Sequence, residues 1–158
     1  VVSRGLREVL DERYLEFRIG QVRRLGERLI AAGVPIVRPV GGHAVYLDAR
    51  RFLPHVPASQ YPAQALSVAL YREGGVRSVE IGGVMFARRD PKTGQEIAPE
   101  LELVRLTIPR RVYSNTHLDY VAGVVIECFR NREAIRGVRI VKQAPYLRHF
   151  TAEFEAIA

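Results

Sequence analysis

Near the N-terminus, Leu15, Ile19, Val22, Leu25 and Leu29 return at close to the helical period. They predict one helix over residues 3–32, with Gly33 as its C-terminal cap and Gly20 as a weak point inside it. A helix of about 30 residues is long against a usual length of about 11–12. Such a helix suits an element running between two domains, with an apolar stripe on its N-terminal half left without a partner. VPIVRPV, residues 34–40, reads as a short strand broken by Gly41 and Gly42, and HAVYLD, residues 43–48, alternates as a second strand. RRFLPHVPASQYP is a proline-interrupted loop. Residues 63–73 are a helix with Leu66, Ala69 and Leu70 facing inward, ended by Gly74 and Gly75. Residues 76–81 are a strand, and RRDPKTGQE, residues 88–96, is a tip loop with Asp-Pro and Thr-Gly turn chemistry. Residues 101–108 form a strand that Pro109 stops. Residues 115–132 form a helix capped by Ser114 or Thr116, with Asp119 in its first turn. Residues 138–142 and 149–154 are strands. Irregular alternation of helices with paired strands predicts an α+β two-layer sandwich, helices covering one face of a mainly antiparallel or mixed sheet.

The chain has 158 residues, 47% of them hydrophobic, which suffices for one compact core. No apolar run approaches the roughly 20 residues a membrane span needs. The opening VVSRGLREVL lacks the order of a secretory signal, and Cys128 is the single cysteine, which excludes a disulfide framework or a cysteine metal cluster. A cytoplasmic location is expected. The formal net charge is +7, and 22 of the 24 basic residues are arginines because only Lys92 and Lys142 are lysines. The arginines are scattered and often sit beside acids, as Arg13 does with Glu12 and Glu16. This pattern argues against a nucleic-acid interface. The chain begins at Val1 and Met85 is its only methionine. Together with the long first helix, this suggests a piece of something longer.

The chain carries no phosphate-binding loop, no Gly-x-Gly-x-x-Gly and no His-Glu-x-x-His. His43, His55, His117 and His149 show no metal-ligand spacing, and Ser114 and Cys128 lack an adjacent base. The position that stands out is Arg105, a permanent cation in the middle of the strand LVRLTIP. Two readings are open. It can face solvent or snorkel past the sheet edge, or it can form a bidentate clamp for a carboxylate, held rigidly by its strand. His149, in LRHFTAEF, is either a core histidine with a satisfied N–H or a donor or acceptor aimed into a pocket.

Several segments together go further. PVGGHAVYLDARRFLPHVPASQYPAQALSVALY, VRSVEIG, DPKTGQ, ELVRLTIPRRVYSNTHLDYV and LRHFTAEF resemble, in order, the C-terminal part of the β-eliminating lyases, tryptophanase and tyrosine phenol-lyase. The resemblance runs over nearly the whole chain. It implies the small domain of a pyridoxal-phosphate-dependent fold type I enzyme, residues 34–158, preceded by an interdomain helix over residues 1–33. It implies a reaction that splits an aromatic group from the β-carbon of an amino acid, leaving pyruvate and ammonia. The arginine matching Arg105 in that family binds the substrate α-carboxylate. The phenol-lyase position that matches Ile81 is an arginine that recognises the phenol hydroxyl, and an isoleucine packs on indole instead. The position of His149 is histidine in tryptophanase, beside the indole ring, and phenylalanine in the phenol-lyase. Both positions favour tryptophanase.

The resemblance also implies what this segment does not carry. The cofactor needs a Schiff-base lysine, and neither Lys92 nor Lys142 stands in the family's lysine motif. No catalytic, cofactor-binding or metal-binding residue is expected in this chain. Pyridoxal phosphate and the monovalent cation that the family implies are expected to bind mainly outside it. The chain alone is expected to be inactive, with a large cofactor domain, on a parent chain or as a separate polypeptide, as its partner and with self-association through the first helix. The alternatives are a tyrosine phenol-lyase or other amino-acid β-lyase, or a non-catalytic isolated small domain.

Overall fold

The computed structural model describes residues 2–109 and 111–157. In chain order these form α1 (Val2–Glu8), α2 (Glu12–Ala31), β1 (Ala44–Asp48), α3 (Ala49–Phe52), α4 (Pro62–Gly74), β2 (Val79–Ile81), α5 (Gly83–Phe86), β3 (Arg88–Arg89), β4 (Glu96–Ile97), β5 (Leu103–Thr107), α6 (Asn115–Arg130), β6 (Val138–Lys142) and β7 (Glu153–Ala156). Short 3-10 turns cover Ala58–Gln60, Arg132–Ala134 and Arg148–Phe150.

Three small antiparallel sheets result. β5 lies between β1 and β2, while β3 pairs with β4 and β6 with β7. Alternation sorts the side chains of the three-stranded sheet. Val45 and Leu47 of β1, Val104 and Leu106 of β5 and Glu80 of β2 are buried. Tyr46, Val79, Ile81, Leu103 and Arg105 point the other way and are half-buried. The buried face meets Val22, Leu25 and Leu29 of α2, Leu66 and Leu70 of α4, and Leu118, Ala122 and Val125 of α6 in one core. The architecture is α+β.

The long N-terminal helix is not continuous. Asp11 caps α2, its side chain accepting from the Tyr14 N–H at 3.0 Å, and Val9 to Asp11 separate α2 from α1. The break falls at an Asp because its carboxylate satisfies a free N–H of the new helix start. Gly20 breaks nothing. α1 buries none of its residues and exposes Val2 and Leu6, and Leu10 follows in the break. The expected apolar stripe is therefore present. In α2 the buried face is Arg18, Gln21, Val22, Leu25, Gly26 and Leu29, so Ile19 lies off it and is exposed. Gly26 is required for space: a Cβ there would sit 2.6 Å from a methyl of Val40.

Other expectations shift too. Residues 34–40 make only an isolated bridge, Ile36 to Leu47, because Pro35 and Pro39 have no N–H to extend the ladder. The proline-rich loop contains α3 and a 3-10 turn. β2 is shorter than residues 76–81, and the tip loop is a hairpin turn between β3 and β4. Of Leu66, Ala69 and Leu70, Ala69 is only half-buried, and Ala65 is buried instead. Ser114, not Thr116, caps α6 in a reciprocal box with His117, and Asp119 instead pairs with Arg24 and Arg28 of α2. The strand expected over 149–154 is a 3-10 turn at 148–150 followed by β7.

Candidate active-site face

β5 presents Arg105 from the centre of the sheet. Its register partners are Tyr46 on β1 and Val79 on β2, and Ile81 lies opposite Leu103, two residues along the same face. Arg105 and Ile81 are thus brought together on the half-open face, with the core behind them. The Arg105 Nε is buried with no hydrogen-bond partner. Among the described residues its guanidinium meets no acid, whereas Arg24, Arg28, Arg139 and Arg148 each pair with a carboxylate within 3 Å. A half-buried guanidinium with an unfilled donor is an anion receptor in waiting, because a buried N–H is costly to leave unsatisfied. Arg110, in the same motif, lies outside the described residues.

His149 reaches this region by a different route. Its 3-10 turn packs against α5, the turn that directly follows Ile81. It lines a cleft of about 650 Å³ with Val84, Met85, Glu96 and Arg148. Its ring stacks at a tilt on Phe150, with centroids 4.2 Å apart; the histidine is half-buried and lies outside the apolar core. Arg105 lines neither this cleft nor a more apolar one of about 440 Å³ bounded by Gly74, Thr107, Pro109 and Tyr120. The three sequence-predicted residues therefore lie on adjoining surfaces and are not enclosed together.

Residues that sequence reading passed over hold this region in place. Glu80, on the core side of β2, curls under α5 and accepts from the N–H groups of Val84 at 3.0 Å and Met85 at 3.2 Å. Burial pushes its carboxyl up to about 7, the nearby Glu102 carboxylate adding to the rise against those hydrogen bonds. Glu102 is almost wholly buried, and neither of its oxygens has a well-aligned partner. Burial raises its carboxyl as well, although the N–H groups of Gly83 and Ala63 oppose the shift. Gly82 allows the two carboxylates to lie this close to the chain, since a Cβ there would collide with Glu102. Arg148 donates to the carbonyls of Gly83 and Val84 and to Glu96. The Cys128 thiol, pushed up to about 11 first by burial and then by Glu73 and Glu127, is no nucleophile at neutral pH.

Neither lysine of the chain is placed for the Schiff base that the cofactor implied by the resemblance would form. Lys92 stands exposed on the hairpin turn, and Lys142 is engaged by Glu153 at 2.6 Å. Neither borders Arg105 or the His149 cleft, so these residues do not fit a Schiff-base role. Among the described residues no three His, Cys, Asp or Glu side chains cluster as metal ligands.

The Beta-eliminating lyase family profile matches residues 8–123. Tyrosine phenol-lyase of Symbiobacterium sp. strain SC-1 is 55% identical over 157 residues, covering 99% of this chain and 34% of that protein. Tyrosine phenol-lyase of Pasteurella multocida is 54% identical, covering 96% of this chain and 33% of that protein. Tryptophanase of Hyphomonas neptunium is 49% identical, covering 99% of this chain and 34% of that protein. The chain thus spans about a third of the length of the curated relatives it matches.

Proposed function

The chain belongs to the β-eliminating lyase family, and from that premise we propose that it is the substrate-recognising segment of a carbon–carbon lyase acting on an aromatic amino acid. The observation that carries the reading is Arg105, a guanidinium without an acid on the half-open sheet face. On this reading Arg105 takes the α-carboxylate through two parallel N–H···O bonds, and the rigid centre strand orients the Cα–H for removal. Ile81, on the same face, packs against the aromatic ring. His149 hydrogen-bonds in the ring pocket or holds the proton that the leaving ring carbon takes up. Residues 1–33 serve as the interdomain element and residues 34–158 as the small domain of a fold type I enzyme. The seats of pyridoxal phosphate and of the monovalent cation fall in the portion that the relatives have and this chain does not cover. The chain by itself is then inactive.

An apolar side chain at position 81 cannot donate to a phenol oxygen, and an imidazole at position 149 suits an indole N–H or ring carbon. The reading is therefore tryptophan to indole, pyruvate and ammonia. The identity to tyrosine phenol-lyases supports phenol release from tyrosine as the second reading. The test is to isolate the chain from its native lysate and assay the eluate, with pyridoxal phosphate, for indole from tryptophan and phenol from tyrosine. Indole release that Ile81→Arg with His149→Phe shifts toward phenol supports the first reading. Phenol as the main product supports the second. An eluate that holds a lysine-bearing partner polypeptide and is inactive on both overturns the lyase reading, and a chain that comes out alone and inactive is a non-catalytic isolated small domain.

A further inference from the structure

Arg148 stands out because its donors are spent within the chain, and on backbone that belongs to another part of the site. Nε donates to the Val84 carbonyl at 2.8 Å and Nη2 to the Gly83 carbonyl at 2.6 Å. Nη1 donates to Glu96 at 2.6 Å and to the Gln143 side chain at 3.3 Å. The guanidinium lies 5.7 Å from the Tyr61 ring centroid, and Tyr61 in turn donates its hydroxyl to Glu96 at 2.9 Å. Glu96 feels burial pushing its carboxyl up, but the hydrogen bonds from Arg148 and Tyr61 hold it below the usual range, so it stays a counter-charge.

The surroundings say why this matters. The large apolar side chains flanking Arg148 do not anchor its turn: Tyr146 is 84% exposed, Leu147 66% and Phe150 77%. Leu147 sits in the left-handed region at φ 53°, a conformation that costs a non-glycine residue on the order of 1 kcal/mol and needs an external hold. Val84 is gripped on both sides, its N–H by Glu80 and its carbonyl by Arg148. The planar fork reaches two successive carbonyls and a carboxylate at once, which a lysine ammonium on its flexible stem does not.

We propose that Arg148 is a positioning residue for aromatic recognition, fastening the turn that carries His149 to the backbone that follows Ile81 so that the two surfaces assigned to the ring move as one. The inference rests on the roles given above to Ile81 and His149. Arg148 is not among the side chains of the buried apolar core, so its loss should free the pocket without unfolding the domain.

The test has two arms. In amide hydrogen exchange on this chain, Arg148→Met should speed exchange about tenfold or more in residues 82–86 and 143–151 and leave β1, β5 and α4 unchanged. Arg148→Lys should fall between the two, and Glu96→Gln should loosen the same segments more weakly. In the active lyase assembly, Arg148→Lys should lower kcat/KM for the aromatic amino acid about tenfold or more while leaving an S-alkyl cysteine, with its small leaving group, near wild type. Unchanged exchange in 143–151, Arg148→Lys indistinguishable from wild type, or an equal fall for both substrates would overturn the proposal. An assembly inactive on every substrate overturns the lyase reading instead, and the exchange arm then decides the latch alone.

Discussion

The two faces of the three-stranded sheet are built by different means. Behind it, α2, α4 and α6 close over Val45, Leu47, Val104 and Leu106 in one apolar core. In front, Arg105 has an unfilled donor, Ile81 and Tyr46 are half-covered, and the neighbouring turn exposes Tyr146, Leu147 and Phe150. The segment 83–85 beside that face is held by polar groups that grip its backbone, Glu80 from the core side of β2 and Arg148 from the turn that carries His149. The difference teaches where recognition can reside: one face is held by apolar burial, whereas the other leaves a buried donor unfilled beside uncovered aromatics.

The sharpest break between the faces is a pair of truncations read by urea denaturation. Leu66→Ala, at a fully buried core position, should cost about 2–5 kcal/mol. Phe150→Ala, at a mostly exposed ring, should stay within about 0.5 kcal/mol. Equal losses would mean that the front face carries packing of its own.

Next in size is a pH effect. The Glu80 carboxyl rises from 4.5 to about 7 on folding, so the protonated form is the one the fold prefers. Its contribution is fully present below pH 4.5 and is lost as pH rises through about 7. This amounts to about 3 kcal/mol at most. Glu80→Gln keeps an acceptor for α5 and removes the titration. The wild type should therefore lose stability relative to this variant between those limits, and a constant gap across them would remove Glu80 from the account. Smaller still is the α6 cap. Ser114 accepts from the His117 N–H while its own N–H donates to the His117 ring at 3.1 Å, and Ser114→Ala should cost about 1 kcal/mol with no change in the exchange of residues 143–151.

The legible part of this molecule was the part that apolar periodicity writes. α4, β1, β5 and α6 follow from spacing and from Pro109 as a stop, and Arg105 was conspicuous because a cation interrupts an apolar strand. The break at Asp11 had a local signal, an Asp able to cap the helix that follows, but a sustained apolar repeat overrode it. Ile19 looked like a core position because it is apolar, yet the helix turns Arg18 inward. Glu80, Glu102 and Arg148 were not legible. Their partners are backbone groups of a turn that only tertiary folding brings near, so nothing in VEIGG or LRHF marks them as buried. His149 could be singled out by resemblance, but its place in a 3-10 turn packed against α5 is set by contacts that only tertiary folding makes.

The account stands most directly on Arg105. The measurement is kcat/KM for tryptophan in the active assembly containing this chain, compared for wild type, Arg105→Lys and Arg105→Ala. The account predicts a loss of about two to four orders of magnitude for Arg105→Ala, with only partial recovery in Arg105→Lys because the ammonium lacks the fork. An Arg105→Ala assembly that turns over tryptophan like wild type would contradict it.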